Sequence, residues 1–555
     1  MTHMKPTRMA VVLLMALGCT SIVAHAQQPA DIVLTNGKVI TVDDTFTIAQ
    51  AVAIRGARIL AVGSNEEIDA LAGANTQRID LEGRSLMPGF IDNHAHYMEE
   101  GAYWTEEMRL DGVKTRQQAL EMMQARAKEK GPDQWLFTLG GWSPDQFDDD
   151  PSPFDREELD QYFPNNPVFL QFTREVYYVN SKAIEMTGID GMDDPEIERD
   201  ANGRPTGVIQ GDAVGGRIRR ASGVLDNLPE GIFESSTDKM LKDFAMAGLT
   251  SSGGGCQYEA EYREWVNQGK AMPMRFFCFR TAGGGLSPDE TIAAMPNLKY
   301  FDGDEWIDHV NWGERFVGIR DNVYDLGPSV PAETWNDGGR VARAAAELSI
   351  PAMIHTTMEW TIDSQLEQIE AFADEVPVRG KRWAFMHMEQ VTPSQLERLR
   401  DLGMWVAIHP RGVISGAAFV RRYGEQGYAM PNLKSVQDSG VHWGIGTDAF
   451  EVNQFRPFAT LGWAVTGRVI GSGPVVMKYP ISREDALVAH TRSNAYFFNR
   501  ENDIGSIAPG KLADMFISDR DYLTVPADDI HSLRSVLTIV GGTVVYDEAT
   551  DTATQ

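Results

Sequence analysis

Polar and apolar positions along the chain fall into three textures. Between residues 31 and 85, short β-like runs alternate with turn dipeptides. Asp31-Ile32-Val33-Leu34 ends at Asn36-Gly37, and Lys38-Val39-Ile40-Thr41-Val42 ends at Asp43-Asp44. Ala51-Val52-Ala53-Ile54 turns at Arg55-Gly56 into Arg58-Ile59-Leu60-Ala61-Val62. Asn-Gly between apolar runs is a hairpin signal, and the spacing predicts a small antiparallel sheet. The C-terminal end repeats the texture, with Met515-Phe516-Ile517, Val536-Leu537-Thr538-Ile539-Val540 and Thr543-Val544-Val545-Tyr546. Each end is too short to bury a good core alone. Together they predict one small β domain assembled from residues 27–86 and 497–555.

Residues 87–496 alternate apolar runs with helical patterns. Strand-like runs fall at 89–94, 135–140, 167–172, 248–252, 316–320, 351–355, 383–387, 404–409 and 441–447. Helical patterns at 340–348, 362–372 and 393–402 lie between the later ones. This alternation predicts parallel α/β units. The strand-like runs outnumber the eight that a barrel needs, so some belong to insertions. Residues 143–231, rich in Pro, Asp, Gly and Asn, carry the weakest periodicity and read as insertion loops over an active-site end.

The first 26 residues read as an address. Lys5 and Arg8 precede a short apolar run, and Ala24-His25-Ala26 is a cleavage signal, the pattern of a signal peptide. Export to the periplasm or medium is expected, with a lipoprotein anchored through Cys19 as the alternative. No later apolar run is long enough to span a membrane, so no membrane insertion of the mature chain is expected.

Composition narrows the partners. The 555 residues are 43% hydrophobic and 23% charged, ordinary for a globular protein. The net charge of −29 argues against nucleic acid or anionic lipid as partner and leaves a small-molecule substrate; self-association stays open. Only Cys256 and Cys278 follow the leader. They pair in an oxidising compartment or stay as buried thiols.

Candidate chemistry sits at the strand ends. The run at 89–93 ends in His94-Ala95-His96, and alternate residues on a strand point the same way. Three further runs end at His355, His387 and Asp448. In a parallel barrel these ends share one mouth, and such a nitrogen and oxygen set suits a divalent cation, Zn²⁺ by default. His409 ends another run and is a candidate for binding substrate, with a structural hydrogen bond as the alternative. Trp142 is a candidate pocket wall, although buried aromatics usually belong to cores. No G-x-S-x-G elbow is present, which argues against a serine hydrolase.

The chain resembles the amidohydrolase superfamily, and within it the type 3 amidohydrolases. The resemblance rests on Met87-Pro88-Gly89-Phe90-Ile91-Asp92-Asn93-His94-Ala95-His96, Val179-Asn180-Ser181-Lys182-Ala183, Asn202-Gly203-Arg204-Pro205-Thr206-Gly207 and Gly505-Ser506-Ile507-Ala508-Pro509-Gly510-Lys511-Leu512-Ala513-Asp514. It implies an α/β fold, a (β/α)₈ TIM barrel with a small β-sandwich formed by both termini. It also implies that His94, His96, His355, His387 and Asp448 hold one or two metal ions, with Asp448 as general base and acid toward a metal-activated water and His387 assisting catalysis.

Two departures from the family pattern stand out. The lysine that bridges two ions in many members has no counterpart: Gly318 falls where it is expected, and Glu314 and Asp321 are the nearest carboxylates. Glu175 replaces a pocket histidine and becomes a candidate substrate-binding residue or ligand. Three readings follow. The first is an exported hydrolase of carbon–nitrogen bonds in amides, carbamates, N-formyl compounds or cyclic amides. The second is a mononuclear aminohydrolase that deaminates a heterocycle. The third is a binding or regulatory protein on the same fold.

Overall fold

The computed structural model describes residues 28–551 except 227, 271, 320, 322, 324–329, 471 and 472. The expected signal peptide and Cys19 lie outside the described residues.

Eight parallel strands form one nearly closed sheet. In chain order they are Phe90–Asp92, Leu249–Gly254, Arg275–Phe279, Ile307–Glu314, Ala352–Thr356, Ala384–His387, Trp405–Ile408 and Trp443–Ile445. They are buried along nearly their whole length, as expected where helices cover a parallel sheet. Helices such as Ala332–Glu347, Glu359–Ala373 and Pro393–Leu402 connect consecutive strands. Pro393–Leu402 starts with a Thr392 capping box and stops at Gly403, which takes the left-handed conformation. The first and eighth strands are joined by side chain and backbone together. Asp92 accepts from the Thr447 amide at 2.9 Å and from its hydroxyl at 2.5 Å, and the Asp448 amide donates to the His94 carbonyl at 2.9 Å.

Both termini build the β domain. Ser85–Pro88 pairs in parallel with Lys38–Ile40 on one side and antiparallel with Met515–Ser518 on the other. A single core mixes Ile32, Leu34, Val52 and Leu86 with Ile507, Met515, Ile517 and Ile539. Arg275 and Asp514 tie this domain to the barrel. The guanidinium donates from Nε at 2.7 Å and from Nη2 at 3.0 Å to the carboxylate, with side-chain exposures of 1% and 3%. The Gly541 amide adds a third bond to Asp514 at 2.7 Å.

Two expectations need correction. Of the run at 316–320, residues 316–319 do not form a strand, and residue 320 lies outside the described residues. The fourth barrel strand is Ile307–Glu314, whose polar Asp308, His309 and Asn311 hide its strand pattern but are buried. Contacts from distant elements satisfy them: Asp308 accepts from Arg500, His309 meets Glu259, and Asn311 donates to the Phe497 carbonyl. As expected for surplus runs, those at 135–140 and 167–172 lie outside the barrel, in a separate five-stranded sheet over Leu136–Ile209. The stretch read as insertion loops therefore holds much of a folded unit. Cys256 and Cys278 form a disulfide beside the second and third barrel strands.

The Arg275–Asp514 pair sets a stability test. Asp514→Ala strands a buried guanidinium, and its expected cost is about 3–5 kcal/mol in denaturant unfolding. A loss below about 1 kcal/mol, the value of an exposed pair, would show that the pair does not hold the two domains together.

Candidate metal centre

Six side chains converge at the C-terminal mouth of the barrel. His94 and His96 follow the first strand, Glu314 ends the fourth, His355 lies in the fifth, His387 ends the sixth, and Asp448 follows the eighth. Two of these residues hold left-handed backbone, His387 at φ 72° and Asp448 at φ 54°. Such conformations cost of order 1–3 kcal/mol each and persist where surrounding structure fixes them.

The two carboxylates divide their oxygens between two groups of imidazoles. Glu314 Oε1 lies 3.3 Å from His94 Nε2 and 3.6 Å from His96 Nε2, while Oε2 lies 3.5 Å from His355 Nδ1. Asp448 Oδ1 lies 3.3 Å from His94 Nε2 and 3.4 Å from His96 Nε2, while Oδ2 lies 3.5 Å from His387 Nδ1. Two ligand triplets result, His94–His96–Glu314 and Glu314–His355–His387, each with donor atoms within 4.8 Å of one another. Glu314 belongs to both. Ligands about 2.0–2.1 Å from a tetrahedral ion stand roughly 3.3–3.4 Å apart, close to these separations.

The buried donors fit a cation for a second reason. Nδ1 of His94 and Nε2 of His387 are buried without a hydrogen-bond partner among the described residues, a costly state unless another ligand takes them. Outer residues fix the remaining rings. His96 Nδ1 faces Glu99 at 3.2 Å. His355 Nε2 lies 3.0 Å from the Asp321 carbonyl and 3.2 Å from its carboxylate, leaving Nδ1 toward Glu314. Carboxylates and carbonyls behind ligating histidines serve this orienting role in metal sites.

Electrostatics matches the geometry. Burial disfavours imidazolium, but Glu314 and Asp448 outweigh it and hold His94 above and His96 well above the ordinary histidine value. His355 is raised to about 9 by Asp321 and Glu314 against the same burial. His387 goes well below, through burial and the charge of His355. Burial alone would raise the two carboxyls, yet the surrounding imidazoles hold Glu314 and Asp448 well below the usual carboxylate range.

The other sequence candidates take different places. Glu175 stands beside the pocket, where burial raises its pKa and the charges of Arg411 and Arg174 oppose the rise. His409 does not face the pocket. It is fully buried, its Nε2 2.6 Å from Asn93 Oδ1, and its Nδ1 accepts from the His387 amide at 3.2 Å. It therefore supports the His387 turn. Trp142 is not a pocket wall either. Its indole donates to Thr138 Oγ1 and to the Gln171 carbonyl inside an aromatic core with Phe154, Phe172 and Tyr178. Gly318 lies in a bend beyond the fourth strand, and Glu314 is the carboxylate common to both ligand triplets.

Sequence reasoning missed the arginines. Arg174, Arg315 and Arg411 line the cavity together with Glu451. Arg411 Nη2 donates to Asp448 Oδ2 at 3.3 Å and is backed by Glu389, which burial raises to about 7 despite the arginine. A polar residue three positions past the seventh strand was the available signal for Arg411.

Comparison with known proteins agrees with this geometry. The amidohydrolase family model matches residues 77–546. The N-substituted formamide deformylase of Arthrobacter pascens is 25% identical, covering 94% of this chain and 99% of that protein. LONG AFTER FAR-RED 3 of Arabidopsis thaliana is also 25% identical, covering 93% and 92%. Among solved structures, an uncharacterized metal-dependent hydrolase from Pyrococcus horikoshii OT3 shares the fold with a TM-score of 0.61 at 20% identity, over 89% of this chain and 99% of that one. Atrazine chlorohydrolase TrzN from Arthrobacter aurescens TC1, complexed with zinc, aligns with a TM-score of 0.51 at 15% identity, over 94% of this chain and 97% of its own. The barrel, the ligand set at its mouth and the family model lead to one conclusion: the chain belongs to the amidohydrolase family.

Proposed function

We propose that the protein is an exported zinc hydrolase that cleaves a carbon–nitrogen bond in a small amide or N-formyl compound. The observation that carries the reading is the pair of triplets sharing Glu314. His94, His96, Glu314, His355, His387 and Asp448 would hold the metal, which when bound acidifies a water and polarises the scissile carbonyl. The bond type is supported by the full-length similarity to a formamide deformylase.

The chain's own residues supply the proton transfers. Asp448 is ionised at neutral pH because the imidazoles hold its proton affinity down. It takes a proton from the attacking water and returns it to the leaving nitrogen, so the carboxylate is regenerated each cycle. Arg411, 3.3 Å from Oδ2, fixes the carboxylate's orientation. His387, neutral in its buried position, completes the wall on the Oδ2 side. The deaminase reading drew on the missing lysine. Glu314, shared by both triplets, offers a carboxylate in place of that lysine and supports a two-ion site over a mononuclear one.

Export draws on the leader pattern of residues 1–26 and on the Cys256–Cys278 disulfide, a pairing that persists in oxidising compartments. N-terminal sequencing of the protein from the cell exterior or periplasm should begin at Gln27; an intact leader in a cytoplasmic fraction would refute export.

Two measurements check the chemistry. A panel of N-substituted formamides, carbamates and cyclic amides should yield a substrate for the zinc-loaded enzyme, and Asp448→Asn should lower kcat by about 10²–10⁴-fold. Undiminished turnover in that variant would remove Asp448 from proton transfer. The second concerns protons. His94, His96 and His355 have raised pKa values, so the metal-free site carries protons at pH 7 that an ion must displace. Calorimetric zinc titration in buffers of different ionisation enthalpy should show net proton release at pH 7. The release should decline as pH rises past about 9, the His355 value, and affinity should weaken as pH falls. No release at pH 7 would contradict the ligand assignment.

A further inference from the structure

Among the described residues, three arginines line the pocket, and two of them are already engaged. Arg174 pairs with Glu451, which also holds Arg219 at 2.8 Å. Arg411 lies between Asp448 and Glu389, at 3.3 and 3.8 Å. Arg315 differs. Among the described residues, its only hydrogen bond is made by its backbone carbonyl, which accepts from Trp312 Nε1 at 2.8 Å. Arg315 is an exposed residue and lines the cavity together with His355, Glu314 and Asp448.

Among the described residues that line the pocket, each carboxylate is engaged by groups other than Arg315. Glu314 and Asp448 are surrounded by imidazoles. Asp321 takes the Thr357 and Met358 amides and faces His355. Glu451 is shared by two arginines. An incoming molecule therefore meets a positive wall at Arg315, one residue beyond the shared ligand Glu314. The chain as a whole carries −29 and repels anions at long range, so capture of an anionic group needs a local cation.

We propose that Arg315 binds a carboxylate on the substrate, so that the enzyme acts on small amides carrying an acid group near the scissile C–N bond. This deepens the hydrolase reading and rests on it. A carboxylate is the anion that suits a single guanidinium, because its two oxygens match the planar fork of N–H donors. Arg315 would act as a specificity residue, with no part in the proton transfers.

The test compares N-formylphenylalanine with N-formyl-2-phenylethylamine, which differ only in the carboxylate, on the zinc-loaded full chain. The expected result is a preference of about tenfold or more for the acid. Arg315→Gln should erase it through KM, with kcat for the acid and zinc content retained, and Arg315→Lys should restore part of it. Equal kcat/KM for the two, or a preference that survives Arg315→Gln, overturns the assignment. If neither compound is hydrolysed, calorimetric binding of 3-phenylpropionate against 3-phenylpropanol decides the matter, since neither can turn over. A preference for the carboxylate that vanishes in Arg315→Gln sustains the role of Arg315 even where the hydrolase reading fails. A preference that persists places the carboxylate on the metal and overturns it.

Discussion

Burying Glu314 and Asp448 among four imidazoles is the constraint on which the rest of the structure depends. A carboxylate moved out of water is costly unless charge and hydrogen bonds answer it. Here each carboxylate reaches histidines on two sides, and that arrangement keeps both ionised against burial. The same contacts space the donors for a cation. Removing any member would leave its partners buried and unanswered, so the site acts as a unit.

Holding that unit demands precision from the barrel. The first and eighth strands carry three of the six residues between them, and they meet at the bonds from Thr447 to Asp92 and from Asp448 to the His94 carbonyl. Closing the barrel and placing Asp448 beside His94 are thus one event. The left-handed backbone at His387 and Asp448 is held against its cost by such neighbours, His409 and Asn93 among them. The shared core of the two termini, tied in through Arg275 and Asp514, fixes the barrel from the opposite side of the chain.

Much of this was legible from residues alone. His94-Ala95-His96, His355 and His387 each end an apolar run, and period-two alternation aims the first pair at one point. The β-rich ends were legible because short apolar runs alternate there with turn dipeptides. Local pattern fails where long-range contacts decide. The fourth strand reads as broken because Asp308, His309 and Asn311 interrupt it, yet Arg500, Glu259 and Phe497, far off in sequence, satisfy them. That misplacement left Glu314 as merely a nearby carboxylate and put Gly318 at the strand end where Glu314 stands. Trp142 and His409 were polar-tipped rings whose partners, Gln171 and Asn93, no local pattern could reveal. The five-stranded insertion sheet was lost in turn-rich sequence for the same reason.

The central claim is that Glu314 joins two metal positions. Anomalous scattering at the zinc edge from crystals of the zinc-loaded protein tests it most directly. Two peaks are predicted, one beside His94 and His96 and one beside His355 and His387, with the Glu314 carboxylate between them. A single peak that leaves Glu314 unbound, or peaks elsewhere in the barrel, would contradict the account.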